Sequence, residues 1–287
     1  MVEQAFGENA IARLVEAYPE QPVLLKHGLA GHPLFELEAL AQLGERMREL
    51  DVEYNRGDLP VGVDPSAVEG NGLGIAETIR SIEENGSWLV LKFIEQDPVY
   101  RDLLRDTLAE IEPAVLEATG KMLKLEGFIF ISSPDAVTPF HFDPEHNILL
   151  QIRGSKTFTV FPVGDEEVAS ADQHETFHMG GHRNLRWNDA FAAKGTALHM
   201  TPGDAVYVPV KAPHWVKNGS APSVSFSITW RSEWSYGESA ARGMNHLLRK
   251  AGINPREPGR FPQQNHAKSL AYRVISKARR TITATDA

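Results

Sequence analysis

Short β-rich runs, each ended by turn residues, dominate the chain between residues 127 and 231 and strongly limit how it can fold. The runs are FIFIS, HNILLQI, TFTVFP, DAVYVP, HWVKN and SVSFSITW. Several short strands at such intervals are typical of a β-sandwich or a β-barrel. We therefore predict a mainly β core, interrupted by a longer polar insertion at residues 163–198.

Helical periodicity surrounds this β-rich region. Apolar residues recur at every third or fourth position, which predicts amphipathic helices. These helices are expected at residues 33–50, 75–84, 98–118, 237–251 and 264–280, with one strand at 88–94. We therefore divide the chain into a helical N-terminal region that packs on the barrel (1–126), a β core (127–236) and a basic C-terminal helical region (237–287).

The composition excludes several kinds of site. The 287 residues include no cysteine, so disulfides, thiolate zinc sites, iron–sulfur clusters and a cysteine nucleophile are ruled out. Any metal must be bound by His, Asp or Glu. No apolar run reaches the roughly 18 residues of a membrane span. The N-terminus lacks a secretory pattern, so we expect a cytoplasmic protein without a membrane partner.

Charge is unevenly distributed along the chain. Residues 242–287 contain ten Lys or Arg and two acids, whereas the rest of the chain contains 19 bases and 36 acids. An acidic body disfavours binding to nucleic acid. The basic segment is expected to dock on the acidic body or to form a solvated face, and an anionic partner is the alternative.

A candidate metal site begins with His141 and Asp143. Residues i and i+2 of a strand point to the same face, so both side chains can reach one point inside a barrel. His214, 71 residues after Asp143, follows a Pro-Gly-Asp turn and a predicted strand. Two His and one carboxylate that leave coordination positions open are the ligand set of non-haem Fe(II) oxygenases.

Lys156 opens the predicted strand that follows. Strand alternation places it on one face with Phe158 and Val160. A lysine on an apolar inward face is costly unless an anion pairs with it, which points to the carboxylate of a ligand. The alternative is that Lys156 lies at the strand end and reaches solvent.

Residues 127–231 resemble the JmjC and cupin-like family of 2-oxoglutarate-dependent oxygenases. They are most similar to the branch containing the asparaginyl hydroxylase of the hypoxia-inducible transcription factor. That branch has a Thr three residues before its first iron-binding His, an Asn six after it and a Lys fifteen after it. Thr138, Asn147 and Lys156 occupy these positions around His141.

The resemblance implies a double-stranded β-helix (cupin or jelly-roll) barrel and a dioxygenase that hydroxylates a protein side chain or a small molecule. It implies Fe(II) on His141, Asp143 and His214, and 2-oxoglutarate that is converted to succinate and CO2. Thr138, Asn147 and Lys156 would bind this co-substrate. It also suggests a homodimer formed through the C-terminal helices.

One feature departs from the family pattern. The branch has an Asn on its last barrel strand near the co-substrate, and the corresponding stretch here, residues 223–230, has none. Ser225 or Ser227 is the expected substitute.

Two other functions are possible from the residues. A cupin of this kind can bind a metal or a small ligand without catalysis. His174-Glu-Thr-Phe-His178 also matches the H-E-x-x-H motif of zinc hydrolases, which requires a helix. Gly180-Gly181 should break such a helix, so we instead expect residues 174–182 to form an exposed, His-rich loop or a mobile loop over the barrel mouth.

Overall fold

The strands form two antiparallel sheets in the structure, a computed structural model that describes residues 4–56 and 72–285. The strands are β1 (Val23–Lys26), β2 (Val52–Arg56), β3 (Ser87–Lys92), β4 (Met122–Ser132), β5 (Val137–His141), β6 (His146–Arg153), β7 (Lys156–Val160), β8 (Thr196–Met200), β9 (Asp204–Val208), β10 (His214–Asn218) and β11 (Ser223–Ser232). The larger sheet has the order β1-β9-β6-β11-β4-β3-β2, and the smaller has the order β5-β10-β7-β8.

Helices lie before, between and after these strands. They are α1 (Glu8–Ala17), α2 (Leu37–Arg46), α3 (Ile75–Arg80), α4 (Pro98–Ala109), α5 (Glu112–Thr119), α6 (Ala171–Phe177), α7 (Glu233–Lys250) and α8 (His266–Thr285). The helix predicted at 98–118 is two helices. Pro113 lies in the first turn of α5, where its missing N–H is harmless, but it cannot lie inside a continuous helix. No helix in the described residues is long and apolar enough to cross a membrane.

Alternating side chains give each sheet an inner and an outer face, and the two inner faces pack together. Leu149 and Val206 of the large sheet contact Phe158 and Val216 of the small sheet in one buried cluster. The opposite face of the large sheet packs against the N-terminal helices in the largest cluster of the described chain. This two-layered barrel confirms the predicted jelly-roll class.

The N-terminal region contributes strands as well as helices. β1 pairs with β9, and β3 pairs with both β2 and β4. The predicted boundary at residue 126 therefore does not separate two structural units, because the strands on either side of it belong to one hydrogen-bonded sheet.

The insertion at 163–198 packs on the outer face of the small sheet. Phe140 and Phe161 form a buried cluster with Leu185, and Trp187 packs against it. Leu185 N–H donates to Phe140 O (2.9 Å), so the insertion also extends the edge of β5. The expectation of an exposed loop at 174–182 is wrong for the first part of this segment, because α6 extends to Phe177 and buries His174 and Glu175.

Arginines of the basic C-terminal segment form ion pairs within the molecule. Arg260 Nε lies 2.9 Å from Glu20 Oε2, and Arg249 Nε lies 2.8 Å from Glu175 Oε2. These contacts match the expectation that the segment docks on the acidic body.

Candidate metal centre

The two candidate histidines are brought together by one pair of neighbouring strands. His141 ends β5 and His214 begins β10. These strands are antiparallel, and the register places the two residues directly opposite each other. Their ring centroids are 4.2 Å apart. Cross-strand pairing thus joins two distant parts of the sequence at one end of the barrel.

Asp143 completes the group from the loop between β5 and β6. Its Oδ2 lies 3.8 Å from His141 Nε2 and 3.6 Å from His214 Nε2. Among the described residues, this is the only set of three potential ligands whose donor atoms all lie within 4.8 Å of one another. Donors that each bind one ion at about 2.1 Å lie at most about 4.2 Å apart, so the distances from Asp143 to both histidines allow a shared ion. The predicted triad is therefore assembled.

Backbone carbonyls fix the orientation of both imidazoles. His141 Nδ1 lies 2.7 Å from Pro139 O, and His214 Nδ1 lies 2.9 Å from Ala212 O. An Nδ1–H that donates to a carbonyl leaves the lone pair of Nε2 directed at the other ligands. This is the usual arrangement behind a histidine that binds a metal.

The electrostatics of the site favour a cation. Burial, reinforced by His214, lowers the pKa of His141 to about 3, and burial also lowers the pKa of His214. Burial opposes ionisation of Asp143, but Arg183 and the two histidines lower its pKa to about 2. At neutral pH the site therefore contains two neutral imidazoles and one carboxylate, the protonation states that a divalent metal needs.

Arg183 is a site residue that sequence reasoning missed. Its Nη1 donates to Asp143 Oδ1 (2.6 Å), although its side chain is 54% exposed. The contact exists because Arg183 belongs to the part of the insertion that pairs with β5. Since Oδ1 is occupied, Asp143 presents Oδ2 to the histidines. No local sequence pattern connects residues 143 and 183.

Replacing Arg183 with alanine should weaken metal binding by about 10- to 100-fold, because the ligand carboxylate loses the partner that orients it. Titration of the metal-free protein with Co(II) or Mn(II) measures this directly. Arg186→Ala is the matched control, since Arg186 is an exposed arginine of the same segment. Equal affinities in the two variants would contradict the role given to Arg183.

Lys156 lies on the inner face of the barrel, as predicted. It is opposite Met200 on β8 and Asn218 on β10, and it is only 5% exposed. The alternative in which its amine reaches solvent is therefore wrong. Burial lowers its pKa to about 7, and no charged group in the described chain offsets that burial. The Lys156 amine is thus a buried basic group without a paired anion.

The other two residues predicted to bind co-substrate also face the interior. An irregularity in the pairing of β5 with β10 places Thr138 opposite Val216, whose side chain belongs to the inner cluster. Asn147 lies opposite Val208 of the same cluster. Without that irregularity, Thr138 would share the outward face of Phe140.

Serines occupy the inner face of the last strand where the family branch has an Asn. Ser227 Oγ donates to Asn147 Oδ1 (2.8 Å), and Ser225 Oγ donates to Gln151 Oε1 (2.7 Å). Ser227 is thus the serine in contact with a predicted co-substrate residue.

Asn218 is a second residue that sequence reasoning missed. It lies opposite Lys156, is 6% exposed, and its Oδ1 is buried without a hydrogen-bond partner. Strand alternation from His214 through Val216 would have identified it. The interior thus contains a carbonyl oxygen of Asn218 and an amine of Lys156 that have no partner in the protein, which is what a site for a polar ligand would leave.

The H-E-x-x-H segment does adopt helical structure, contrary to the sequence prediction. Residues 171–177 form α6, capped by Ser170. The zinc-hydrolase interpretation still fails, because Glu175 is fully buried in an ion pair with Arg249. His174 is also buried, with Nδ1 unpartnered, but no third ligand in the described residues completes a metal site there.

Known proteins resemble this chain in sequence and in fold. Jumonji C domain-containing protein 5 of Drosophila melanogaster is 31% identical over 103 residues, which cover 33% of this chain and 25% of that protein. An X-ray structure of E. coli YcfD has a TM-score of 0.52 and 16% identity, covering 96% of this chain and 68% of that one. These structural likenesses concern the fold alone.

A second YcfD structure, described as a ribosomal oxygenase in complex with cobalt and 2-oxoglutarate, has a TM-score of 0.48 and 16% identity over 98% of this chain and 67% of that one. The fly protein is matched over only a quarter of its length. The model of the cupin-like domain family matches residues 17–236, which include all the strands of the barrel. By this match, the chain belongs to the cupin-like domain family.

Proposed function

We propose that this protein is an Fe(II)- and 2-oxoglutarate-dependent dioxygenase that hydroxylates its substrate. One observation carries the proposal: a buried amine without a counter-ion, Lys156, faces the same interior as a His–Asp–His group. A metal-binding cupin that takes no organic acid has no need for this amine, whose burial is unfavourable. The comparison with JmjC proteins supports the same oxygenase class.

The residues divide into two groups by the ligand that each would hold. His141, Asp143 and His214 would bind Fe(II) and leave other coordination positions free. Lys156 would pair with a carboxylate of 2-oxoglutarate, and Thr138 and Asn147 would hydrogen-bond it. When bound, the iron and the oxo acid supply the oxidative chemistry: one dioxygen is consumed, 2-oxoglutarate gives succinate and CO2, and the substrate gains a hydroxyl group.

The protein itself contributes position and exclusion of water. Backbone carbonyls orient the two imidazoles, and Arg183 holds the outer oxygen of Asp143. Apolar side chains such as Phe158 and Val216 line the interior and disfavour water there. A dry interior strengthens the attraction between the Lys156 ammonium and a bound carboxylate.

The direct test is 2-oxoglutarate binding and turnover by the metal-loaded protein. We expect 2-oxoglutarate to bind to the Mn(II) form under anaerobic conditions, and succinate to form slowly when Fe(II) and dioxygen are supplied without substrate. Binding without any succinate formation would favour a non-catalytic cupin. A metal-loaded protein that does not bind 2-oxoglutarate would refute the co-substrate assignment.

The substrate class, the partners and the location stay predictions. A protein side chain or a small molecule is proposed as the substrate, and the acidic body disfavours nucleic acid.

A homodimer through the C-terminal helices is supported by Leu270 and Val274, which are 66% and 61% exposed one turn apart on α8. Sedimentation of the full chain would test it. The asparaginyl-hydroxylase branch and the cytoplasmic location likewise remain predictions.

A further inference from the structure

Asp143 differs from the other two metal-site residues in how its backbone is held. His141 and His214 lie in strands that pair with each other, whereas Asp143 lies in the loop between β5 and β6. Its carbonyl oxygen accepts a hydrogen bond from Lys211 N–H (2.7 Å). The position of the Asp143 backbone therefore depends on the turn at residues 209–213, which joins β9 to β10.

The same turn also holds His214. The carbonyl of Ala212, the residue after Lys211, lies 2.9 Å from His214 Nδ1. Ala212 N–H in turn donates to Pro209 O (3.0 Å), which closes the turn. Two adjacent residues of one tight turn thus contact two of the three metal-site residues.

Lys211 is an unusual residue for this turn. Its φ is +63°, a left-handed conformation that Gly or Asn adopts at less cost. Its side chain is 1% exposed, although lysine is among the residues least often buried. Both properties cost free energy for a lysine. We therefore expect the ammonium group to have a specific partner that offsets this cost.

That partner is Glu238 on α7, which is fully buried and forms an ion pair with Lys211 Nζ through Oε2. The other oxygen of Glu238 accepts from Arg242 Nε (2.6 Å), and Arg242 Nη1 contacts Glu257 (3.1 Å). Both carboxylate oxygens are therefore used, which keeps the carboxylate in one orientation. Glu238 connects α7 to the turn that carries the metal-site contacts.

We propose that Glu238 is a positioning residue for the metal centre, acting through Lys211 to fix the turn that holds Asp143 and His214. This inference rests on the proposed function, since it concerns the same metal site. It makes α7 a structural determinant of metal affinity even though no α7 side chain is a metal ligand. It also gives a reason for the lysine at a left-handed position, because only a side chain of this reach and charge joins the turn to Glu238.

The test compares Co(II) binding by the metal-free full-length protein and its variants, read from affinity and from the visible absorption bands of the bound ion. Glu238→Gln keeps the side-chain volume but removes the charge. We expect its Co(II) affinity to fall about 10- to 100-fold and the absorption bands to change shape. Glu175→Gln is the control, because Glu175 is an equally buried carboxylate that forms an ion pair with the partly exposed Arg249 and has no contact with a metal-site residue.

A second variant guards against loss of folding in the first. Lys211→Gly accepts the positive φ without strain and leaves Glu238 paired with Arg242. It should reproduce the loss of Co(II) affinity, while Glu175→Gln lowers the melting temperature and leaves affinity and absorption unchanged. If folded Glu238→Gln binds Co(II) as the wild type does, the inference is overturned, whatever Lys211→Gly shows. A wild type that binds no Co(II) would instead overturn the proposed function.

Discussion

Lys156→Met will strongly weaken 2-oxoglutarate binding and, at the same time, make the metal-free protein more stable. The two effects have opposite signs because the buried amine lowers stability until an anion pairs with it. Loss of this pairing should weaken 2-oxoglutarate binding by at least about 100-fold. Methionine fills a similar volume without a charge, so the free energy of unfolding should rise, by a few kcal/mol at most. Calorimetric titration and urea unfolding measure the two effects separately.

The stability effect should depend on pH in a defined direction. Burial lowers the Lys156 pKa from 10.5 to about 7 in the folded protein. Between these values the unfolded chain binds a proton that the folded chain does not, so the wild type loses stability as the pH falls from about 10.5 to 7. The gain from Lys156→Met should therefore be largest near pH 7 and vanish above about pH 10.5.

Lys217→Met is the matched control for this experiment. Lys217 lies on the neighbouring strand β10, but its side chain is exposed and its Nζ donates to Asp135 O. We expect this variant to bind 2-oxoglutarate normally and to show no comparable gain in stability at pH 7. If Lys156→Met binds 2-oxoglutarate as tightly as the wild type, the ligand-anion interpretation of Lys156 fails.

His141→Ala should abolish metal binding and turnover, by at least about 1,000-fold in succinate formation, while the protein stays folded. Two ligands cannot hold Fe(II) as three do, and the oxidative chemistry depends on the metal. The metal-free fold should tolerate the change, because the His141 side chain lies at the end of β5 and not in the large core cluster. Metal analysis after dialysis, circular dichroism and the succinate assay check the three parts of this result.

The control for this variant is His199→Ala, since His199 is an exposed histidine on the edge strand β8. It should retain both metal and activity. If the His141→Ala variant binds as much iron as the wild type, His141 is not a ligand of the metal.

Strand alternation allowed parts of the site to be predicted from the sequence alone. It placed Lys156 with Phe158 and Val160 on the inner face, which the pairing of β7 with β10 confirms. It also placed His141 and Asp143 on one side, although β5 ends at His141 and Asp143 follows in the loop. These predictions hold because the side-chain direction in an extended chain repeats every two residues, whatever the strand pairs with.

Other features could not be predicted because they depend on contacts between distant segments. Arg183 reaches Asp143 only because the insertion pairs with β5, and His174 of α6 is buried because this helix packs against α7 and Phe142. Glu238 and Lys211 meet only once α7 has folded back on the barrel. In each case two segments far apart in the chain supply the two partners, so neither segment carries the signal by itself.

The sequence by itself determined the residue types of the metal site and the faces to which its strands direct them. Tertiary structure alone decided that β10 lies beside β5 in the register that places His214 opposite His141. It also decided that an irregularity in this pairing turns Thr138 inward. The physical reason is that side-chain alternation is a property of each strand, whereas register is chosen by the packing of whole sheets.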